Sequence, residues 1–309
     1  MVLQKLSIGQ KKLIMNNTPL VSILMNCFNG DRYLREAIDS VINQTYQNWE
    51  LIFWDNHSTD KSKDIFFSYK DARFKYYYAV EHTTLYKARL EAEKKTSGKV
   101  IAFLDVDDWW YPEKLERQII LFEDESVGLV YSNCNLYYDS QKKYKLFTYL
   151  NLPSGYVIKD LAKNYVVLLP TLCIRKEVFL LEGGFNYKYH IIGDYDLVMR
   201  IANKYRIETI QDPLSVYRIH KNSETQKYKD LQVQELSLFI ESIIKNKIFD
   251  RKIIALIKQR FYYIKSSFLA ENHNIKFISY LAEIKGTTNK AKIILKYFKF
   301  LYCHIIKFQ

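Results

Sequence analysis

Apolar residues in the first hundred positions fall into short blocks whose spacing alternates between two kinds. The block Leu20–Phe28 (LVSILMNCF) follows Pro19, is nearly continuous, and stops at Asn29-Gly30-Asp31, a turn and helix N-cap signal. Leu34, Ala37, Ile38 and Val41 then recur at helical spacing, which predicts a helix over Tyr33–Val41. The cycle repeats. Strands are expected over 49–54, 73–80 and 99–104, and helices from a Ser58-Thr59-Asp60 cap to about Tyr69 and from His82 to Lys95. Four strands alternating with three helices predict βαβ units and a largely parallel sheet.

Past residue 105 the rhythm loosens. Pro112 opens a helix, 127–131 reads as a strand, and 136–149 reads as a hairpin rich in Tyr and Lys. Gly183-Gly184 marks a turn, 194–204 is helical, and 206–219 is expected to hold two short strands broken at Asp212-Pro213. From about residue 226 the pattern is helical only, and 230–309 contains no proline and one glycine, Gly286. These changes divide the chain into an extension at 1–18, an α/β domain at 19–225 and a helical region at 226–309.

Composition is that of an ordinary folded protein, with 48% hydrophobic and 26% charged residues. The N-terminal stretch lacks the apolar core and cleavage site of a signal peptide, and no uncharged apolar run is long enough to span a bilayer. A cytoplasmic protein is expected. Cys27, Cys134, Cys173 and Cys303 are widely spaced and fit reduced thiols better than a disulfide or zinc framework.

A net charge of +12 suggests an anionic partner, and an aromatic content of 16% widens the choice to carbohydrate, nucleic acid or a membrane interface. Its distribution narrows that choice. Residues 226–309 hold sixteen Lys and Arg against six Asp and Glu, so ten of the twelve charges lie in the helical region. In the last stretch, 288–309, Lys292, Lys296, Lys299 and Lys307 share one helical face among aliphatic and aromatic residues. That pattern fits a helix lying on an anionic membrane surface, with packing on the α/β domain or on a second copy in a homo-oligomer as alternatives. Nucleic acid is not an expected partner, because the basic residues avoid the motif-bearing half and no nucleic-acid module is present.

Neither a G-x-G-x-x-G nor a G-x-x-x-x-G-K-[ST] phosphate cradle occurs. The chemistry-bearing candidate is Asp105-Val106-Asp107-Asp108, directly after an apolar strand, where parallel sheets open into a crevice. Carboxylates so spaced can present oxygens to a hard divalent ion, and such an ion can neutralise a diphosphate. The competing reading is an acidic loop leading into the Pro112 helix.

Five further segments accompany it in order: Asn26-Cys27-Phe28-Asn29, Trp54-Asp55-Asn56-His57-Ser58-Thr59-Asp60, Ala88-Arg89, Gly193-Asp194-Tyr195-Asp196-Leu197 and Tyr217-Arg218-Ile219-His220. Together with the acidic loop they resemble the motifs of family 2 glycosyltransferases, inverting enzymes of the GT-A fold, across roughly residues 19–222. The resemblance implies a Rossmann-like α/β domain that transfers a sugar from a nucleotide diphosphate donor, UDP-linked in preference, to a glycan or lipid-linked glycan. The family-typical setting is polysaccharide assembly in bacteria. It implies that Asn26, Phe28, Asn29, Asp55 and Asn56 line the nucleoside pocket, Arg89 reaches the nucleotide or diphosphate, Asp105 meets the ribose, and Asp107 binds Mg²⁺ or Mn²⁺. Asp194 would be the general base, His220 a second candidate for the metal, and Trp109, Trp110 and Gly193 would border the acceptor.

Two positions depart from the family pattern: Asn56 stands where a second Asp is usual, and Gly193 replaces a Glu before the base. The first leaves uridine, thymidine and cytidine open. Both substitutions together leave a non-catalytic nucleotide- or carbohydrate-binding protein of the same fold as the alternative. Asp196 reads as a helix N-terminal acid favoured by the macrodipole. Tyr137, Tyr138, Tyr144 and Tyr149 read as cross-strand pairs of the hairpin.

Overall fold

The computed structural model describes residues 18–221, 223–272, 274–285 and 289–294. The extension expected at 1–18, save Thr18, and the membrane-interface helix expected at 288–309, save 289–294, lie outside the described residues. Two compact units form. The first takes the described residues up to Gly155, with Val167–Lys188 and Tyr205–Ile219; the second takes Tyr156–Val166, Tyr189–Lys204 and the described residues from His220 onward.

In the first unit the alternating half of the sequence folds as β1 (Val21–Cys27), α1 (Leu34–Ile42), β2 (Trp49–Asp55), α2 (Ser62–Phe67), β3 (Phe74–Tyr78), α3 (Leu85–Glu93) and β4 (Val100–Phe103). These strands are parallel in the order β3-β2-β1-β4. All of β1 is buried, which is why its sequence is nearly continuously apolar instead of alternating. Helix α1 has no side-chain cap and is held by Leu34, Ala37, Ile38 and Val41, all fully buried on the sheet. Burial of one such Leu or Ile is worth about 1.5–3 kcal/mol, more than a typical cap of about 1 kcal/mol.

Past β4 come β5 (Trp109–Trp110), α4 (Lys114–Ile119), β6 (Val127–Tyr138), β7 (Lys143–Leu146), β8 (Cys173–Arg175) and β9 (Arg206–Ile219). The described residues complete a nine-stranded sheet, continuing β4-β8-β6-β9-β5 with β7 paired to β6. The expected break at Asp212-Pro213 is absent, and β9 runs through it as one strand. Pro213 lies opposite Asn133, where the β6–β9 register shifts on both sides, so an irregularity absorbs the residue that cannot donate to the ladder. Successive strands run outward from β1 through β2 to β3, and the chain then returns to place β4 on the other side of β1. That reversal is the switch point at which open α/β sheets form a crevice beyond the strand C-termini.

The second unit contains α5 (Ile158–Lys163), α6 (Gly193–Ala202), a single turn at Glu224–Lys227, α7 (Lys229–Lys245), α8 (Arg251–Glu271) and α9 (Phe277–Leu281). Val233, Leu236, Phe239, Ile240 and Ile243 form the buried stripe of α7, and Asp250 caps α8 by accepting the Ile253 N–H at 2.8 Å. Tyr195 of α6 packs edge-on against Tyr165 and Phe239, with centroids 4.8 and 5.3 Å apart. No helix among the described residues is long and apolar enough to cross a membrane.

Candidate active site

The loops after β1 and β2 are tied together at the switch point. Asn29 and Asp31 do not cap α1 as their sequence suggested; they serve the β2 loop instead. Asn29 adopts φ 52°, its N–H donates to Ser58 Oγ at 3.0 Å and its Oδ1 accepts the Thr59 N–H at 2.8 Å. The Asp31 N–H donates to Asp60 Oδ2 at 2.9 Å. Burial works to raise the Asp60 carboxyl, but hydrogen bonds from Ser62 and the Asp31 N–H hold it below the usual range. A Cβ on Gly30 would lie 2.7 Å from Val106 Cγ2, so this glycine lets the β1 loop close on the acidic loop.

Asp55 and Asn56 sit within this knot. Asp55 is fully buried, with Oδ1 accepting the Ser58 N–H at 2.8 Å and Oδ2 accepting the Tyr76 hydroxyl at 2.7 Å. The Asn56 amide is buried and engaged with Thr83: Nδ2 donates to the Thr83 carbonyl at 2.8 Å, and Oδ1 accepts the Thr83 N–H at 3.2 Å. The open aromatic surface here belongs to Phe28, 49% exposed, and His82, whose ring centroids are 3.9 Å apart. His82 was not singled out by sequence; it lies just beyond β3, outside every motif. Asn26 is buried at the end of β1, and neither of its side-chain polar atoms has a hydrogen-bond partner. An orphaned buried amide at a strand end is a ready partner for a ligand group.

The acidic loop follows β4. Arg89, 3% exposed on α3, donates to Asp105 Oδ1 at 2.5 Å. Burial pushes the Asp105 carboxyl up against the pull of Arg89, and the charge of Asp107 adds to the rise. Asp108 is buried, accepts the Arg218 N–H at 2.8 Å through Oδ1, and leaves Oδ2 without a partner. Burial, then Asp107 and Asp105, push its carboxyl well up. Asp107 is half-buried between them.

Beneath the loop lies a cation that the sequence reading left unassigned, although it belongs to the last motif. Arg218, at the end of β9, donates from Nε to the Asp107 carbonyl at 2.8 Å, from Nη1 to Asp139 at 3.3 Å, and from Nη2 to Glu36. It lies over the rings of Tyr33 and Trp109 at 4.3 and 4.6 Å. Trp109 stands edge-on to Tyr137, and Tyr137 pairs across strands with Tyr144 at 4.8 Å. Trp110 is a core residue, buried, with Nε1 donating to the Pro170 carbonyl at 2.8 Å.

Asp194, Gly193 and His220 fall in the second unit. Asp194 lies in the first turn of α6, half-buried, and its Oδ1 accepts the Tyr195 N–H at 2.8 Å. Asp196 does more than complement a helix dipole: it is buried and bonded to Arg200 at 2.6 Å. Burial raises its carboxyl and Arg200 opposes the rise. His220 directly follows β9, and its N–H lies 3.3 Å from Ser223 Oγ.

Among the described residues no three His, Cys, Asp or Glu side chains gather as a ready-made metal cage. The carboxylate loop nevertheless fits a Mg²⁺ or Mn²⁺ site of the kind completed by water and substrate phosphates, which needs only one or two protein carboxylates. Asp107 retains exposure for this, with the partly exposed Asp105 carboxyl two residues away, and carboxylates so spaced match a divalent cation.

A parallel sheet with its switch point at β1/β4, carrying an acidic loop there, defines a GT-A glycosyltransferase fold. The sequence profile of glycosyl transferase family 2 matches residues 22–179, and the chain belongs to that family. It is 30% identical over 164 residues to the putative teichuronic acid biosynthesis glycosyltransferase TuaG of Bacillus subtilis, covering 52% of this chain and 64%, just under two thirds, of that one. It is 29% identical over 218 residues to the Escherichia coli UDP-Glc:alpha-D-GlcNAc-diphosphoundecaprenol beta-1,3-glucosyltransferase WfgD, covering 70% and 83%. Residues 1–349 of S. aureus TarS, solved with UDP-GlcNAc, superpose with a TM-score of 0.62 at 15% identity, covering 90% and 88%. The Pyrobaculum calidifontis mannosyltransferase PcManGT, solved with GDP-Man and Mn²⁺, gives 0.62 at 17%, covering 89% and 78%. At such identities the structural matches speak for the fold.

Proposed function

We propose that the chain transfers one sugar from a nucleotide diphosphate donor, UDP-linked in preference, to a glycan or lipid-linked glycan acceptor, with inversion at the anomeric carbon. The observation that carries this reading is the loop Asp105-Val106-Asp107-Asp108, with Arg89 on one side chain and Arg218 on its backbone, at the open edge of the parallel strands. WfgD, by its name, uses UDP-glucose and a diphosphoundecaprenol-linked sugar, and TuaG is named as a putative teichuronic acid biosynthesis glycosyltransferase, which supports a role in polysaccharide assembly. A peripheral position on the cytoplasmic face of a membrane belongs to the same proposal.

Asp107, with His220 as a further candidate, would hold Mg²⁺ or Mn²⁺; when bound, the ion neutralises charge on the leaving diphosphate. The chain's own residues do the rest. Phe28 and His82 offer rings to the base, with Asn26, Asn29, Asp55 and Asn56 shaping that end of the pocket. Arg89 orients the Asp105 carboxylate toward the ribose. Asp194 takes the proton of the acceptor hydroxyl as its oxygen bonds to the anomeric carbon and the bond from that carbon to the diphosphate oxygen breaks. One in-line displacement inverts the centre and needs no covalent nucleophile. Trp109 and Gly193 are assigned to the acceptor side.

Nucleotide sugars screened for transfer and hydrolysis with and without Mn²⁺ test the reading on three proteins. Native protein should require the metal, and Asp107→Asn should lose the response to it. Asp194→Asn should bind nucleotide normally while transferring on the order of 10²- to 10⁴-fold more slowly. A folded Asp194→Asn variant with the native rate overturns the base assignment.

A further inference from the structure

Helix α6 starts without a side-chain cap of its own: the N-cap is Ile192, and the first helical residue, Gly193, has no side chain. Backbone N–H groups at and before a helix start need partners from elsewhere. Here they come from α7. The Glu235 carboxylate accepts the His190 N–H through Oε1 at 2.5 Å, and the Ile191 and Ile192 N–H groups through Oε2 at 2.9 and 3.1 Å. Glu235 is 3% exposed.

A carboxylate placed so deep is ordinarily matched by a cation; no ion pair to Glu235 forms among the described residues, and three backbone N–H groups satisfy it instead. Its negative charge also lies at the positive end of α6. The same loop is braced again by His190, whose Nε2 is 2.9 Å from Glu224 Oε2 and whose ring meets Tyr228 edge-on at 5.4 Å. The segment so fixed, 190–192, ends two residues before Asp194.

We propose that Glu235 is the positioning residue for Asp194: by gathering the N–H groups of residues 190–192 on one carboxylate it sets the start of α6 and thereby where the Asp194 carboxylate points. The inference rests on the reading of Asp194 as general base. Three bonds to two oxygens make the device specific to a carboxylate. A glutamine would turn an NH₂ toward at least one N–H donor, and an aspartate would fall one methylene short.

The test uses the full chain with Glu235→Gln, Glu235→Asp and Asp194→Asn. Glu235→Gln should lower kcat on the order of 10- to 100-fold, while the donor KM stays within about twofold of native. Amide hydrogen exchange should speed up across 190–194 and stay native in β1 to β4. A fold lost altogether in Glu235→Gln would show as lost nucleotide binding; Glu235→Asp then carries the test, with native nucleotide binding and a reduced kcat expected. A native kcat in either folded variant, with Asp194→Asn inactive, overturns the positioning role alone. A native rate in Asp194→Asn overturns the base reading, and does so on a different protein.

Discussion

Arg218 grips the acidic loop by its backbone: its Nε donates to the Asp107 carbonyl at 2.8 Å, while its own N–H donates to Asp108 Oδ1 at 2.8 Å. The remaining guanidinium nitrogens reach Asp139 and Glu36. A lysine has one compact head and cannot serve the Asp107 carbonyl and both carboxylates together. Arg218→Lys should therefore loosen the loop, raising the Mn²⁺ needed for half-maximal transfer and lowering kcat/KM by about 10- to 100-fold. Metal titration of the transfer rate checks this; a native metal requirement counts against the loop-holding role.

Gly30 makes a second close approach to that loop, at Val106. Its missing Cβ would stand 2.7 Å from Val106 Cγ2 and 3.1 Å from Cys27 Sγ. Gly30→Ala should displace Val106, which lies between Asp105 and Asp107, and cut kcat/KM about tenfold with a destabilisation of about 1–3 kcal/mol from overpacking. Adding Val106→Ala removes the obstructing methyls and should restore most of the rate. Failure of the double variant to recover shows that the two residues do not act through this contact.

His82 and Phe28 form an exposed aromatic pair, 3.9 Å between centroids, at the mouth of the proposed nucleoside pocket. Stacking of a base on an aromatic side chain is worth about 1–3 kcal/mol. His82→Ala and Phe28→Ala should each weaken nucleotide binding about tenfold or more in calorimetry, since 1.4 kcal/mol is a factor of ten. Thermal stability should barely change, because Phe28 is half out of the protein. Unaltered nucleotide affinity in both would move the base elsewhere.

The alternating half of the chain was legible because each strand and helix announces itself within about ten residues, by continuous burial in β1 or by the Leu34, Ala37, Ile38, Val41 stripe of α1. Some motif residues were locatable for the same reason, because they sit at or just past strand ends, as Asp55 and Asp105 do. What escaped was long-range pairing. Arg218 meets Asp107 across 111 residues and Glu235 meets His190 across 45, and nothing local in either segment marks the partner. Asp212-Pro213 misled in the opposite sense, since a strong local breaker was absorbed by a shift in the register with β6.

Glu50 gives the sheet a pH dependence whose sign follows from its partners. Its Oε1 accepts from Ser22 Oγ at 2.6 Å and from the Ser97 N–H at 2.5 Å, and its Oε2 pairs with Lys75 at 2.5 Å. Burial works to raise the carboxyl, but the bonds from Lys75, Ser22 and Ser97 prevail and hold it below its ordinary value of 4.5. The folded protein then binds this proton less readily than the unfolded chain, so Glu50 contributes stability that is complete above about pH 4.5 and is lost as the pH falls through the folded value. Glu50→Gln keeps the shape but puts an NH₂ where an N–H or ammonium now donates, at a cost of about 1–3 kcal/mol near neutral pH. Thermal unfolding should show native protein well above the variant at pH 7, and the gap should narrow steadily below pH 4.5 as the native carboxylate is neutralised. An equal gap at both ends of that range would mean that packing, and not the charge of Glu50, holds β2 to β1 and to the turn before β4.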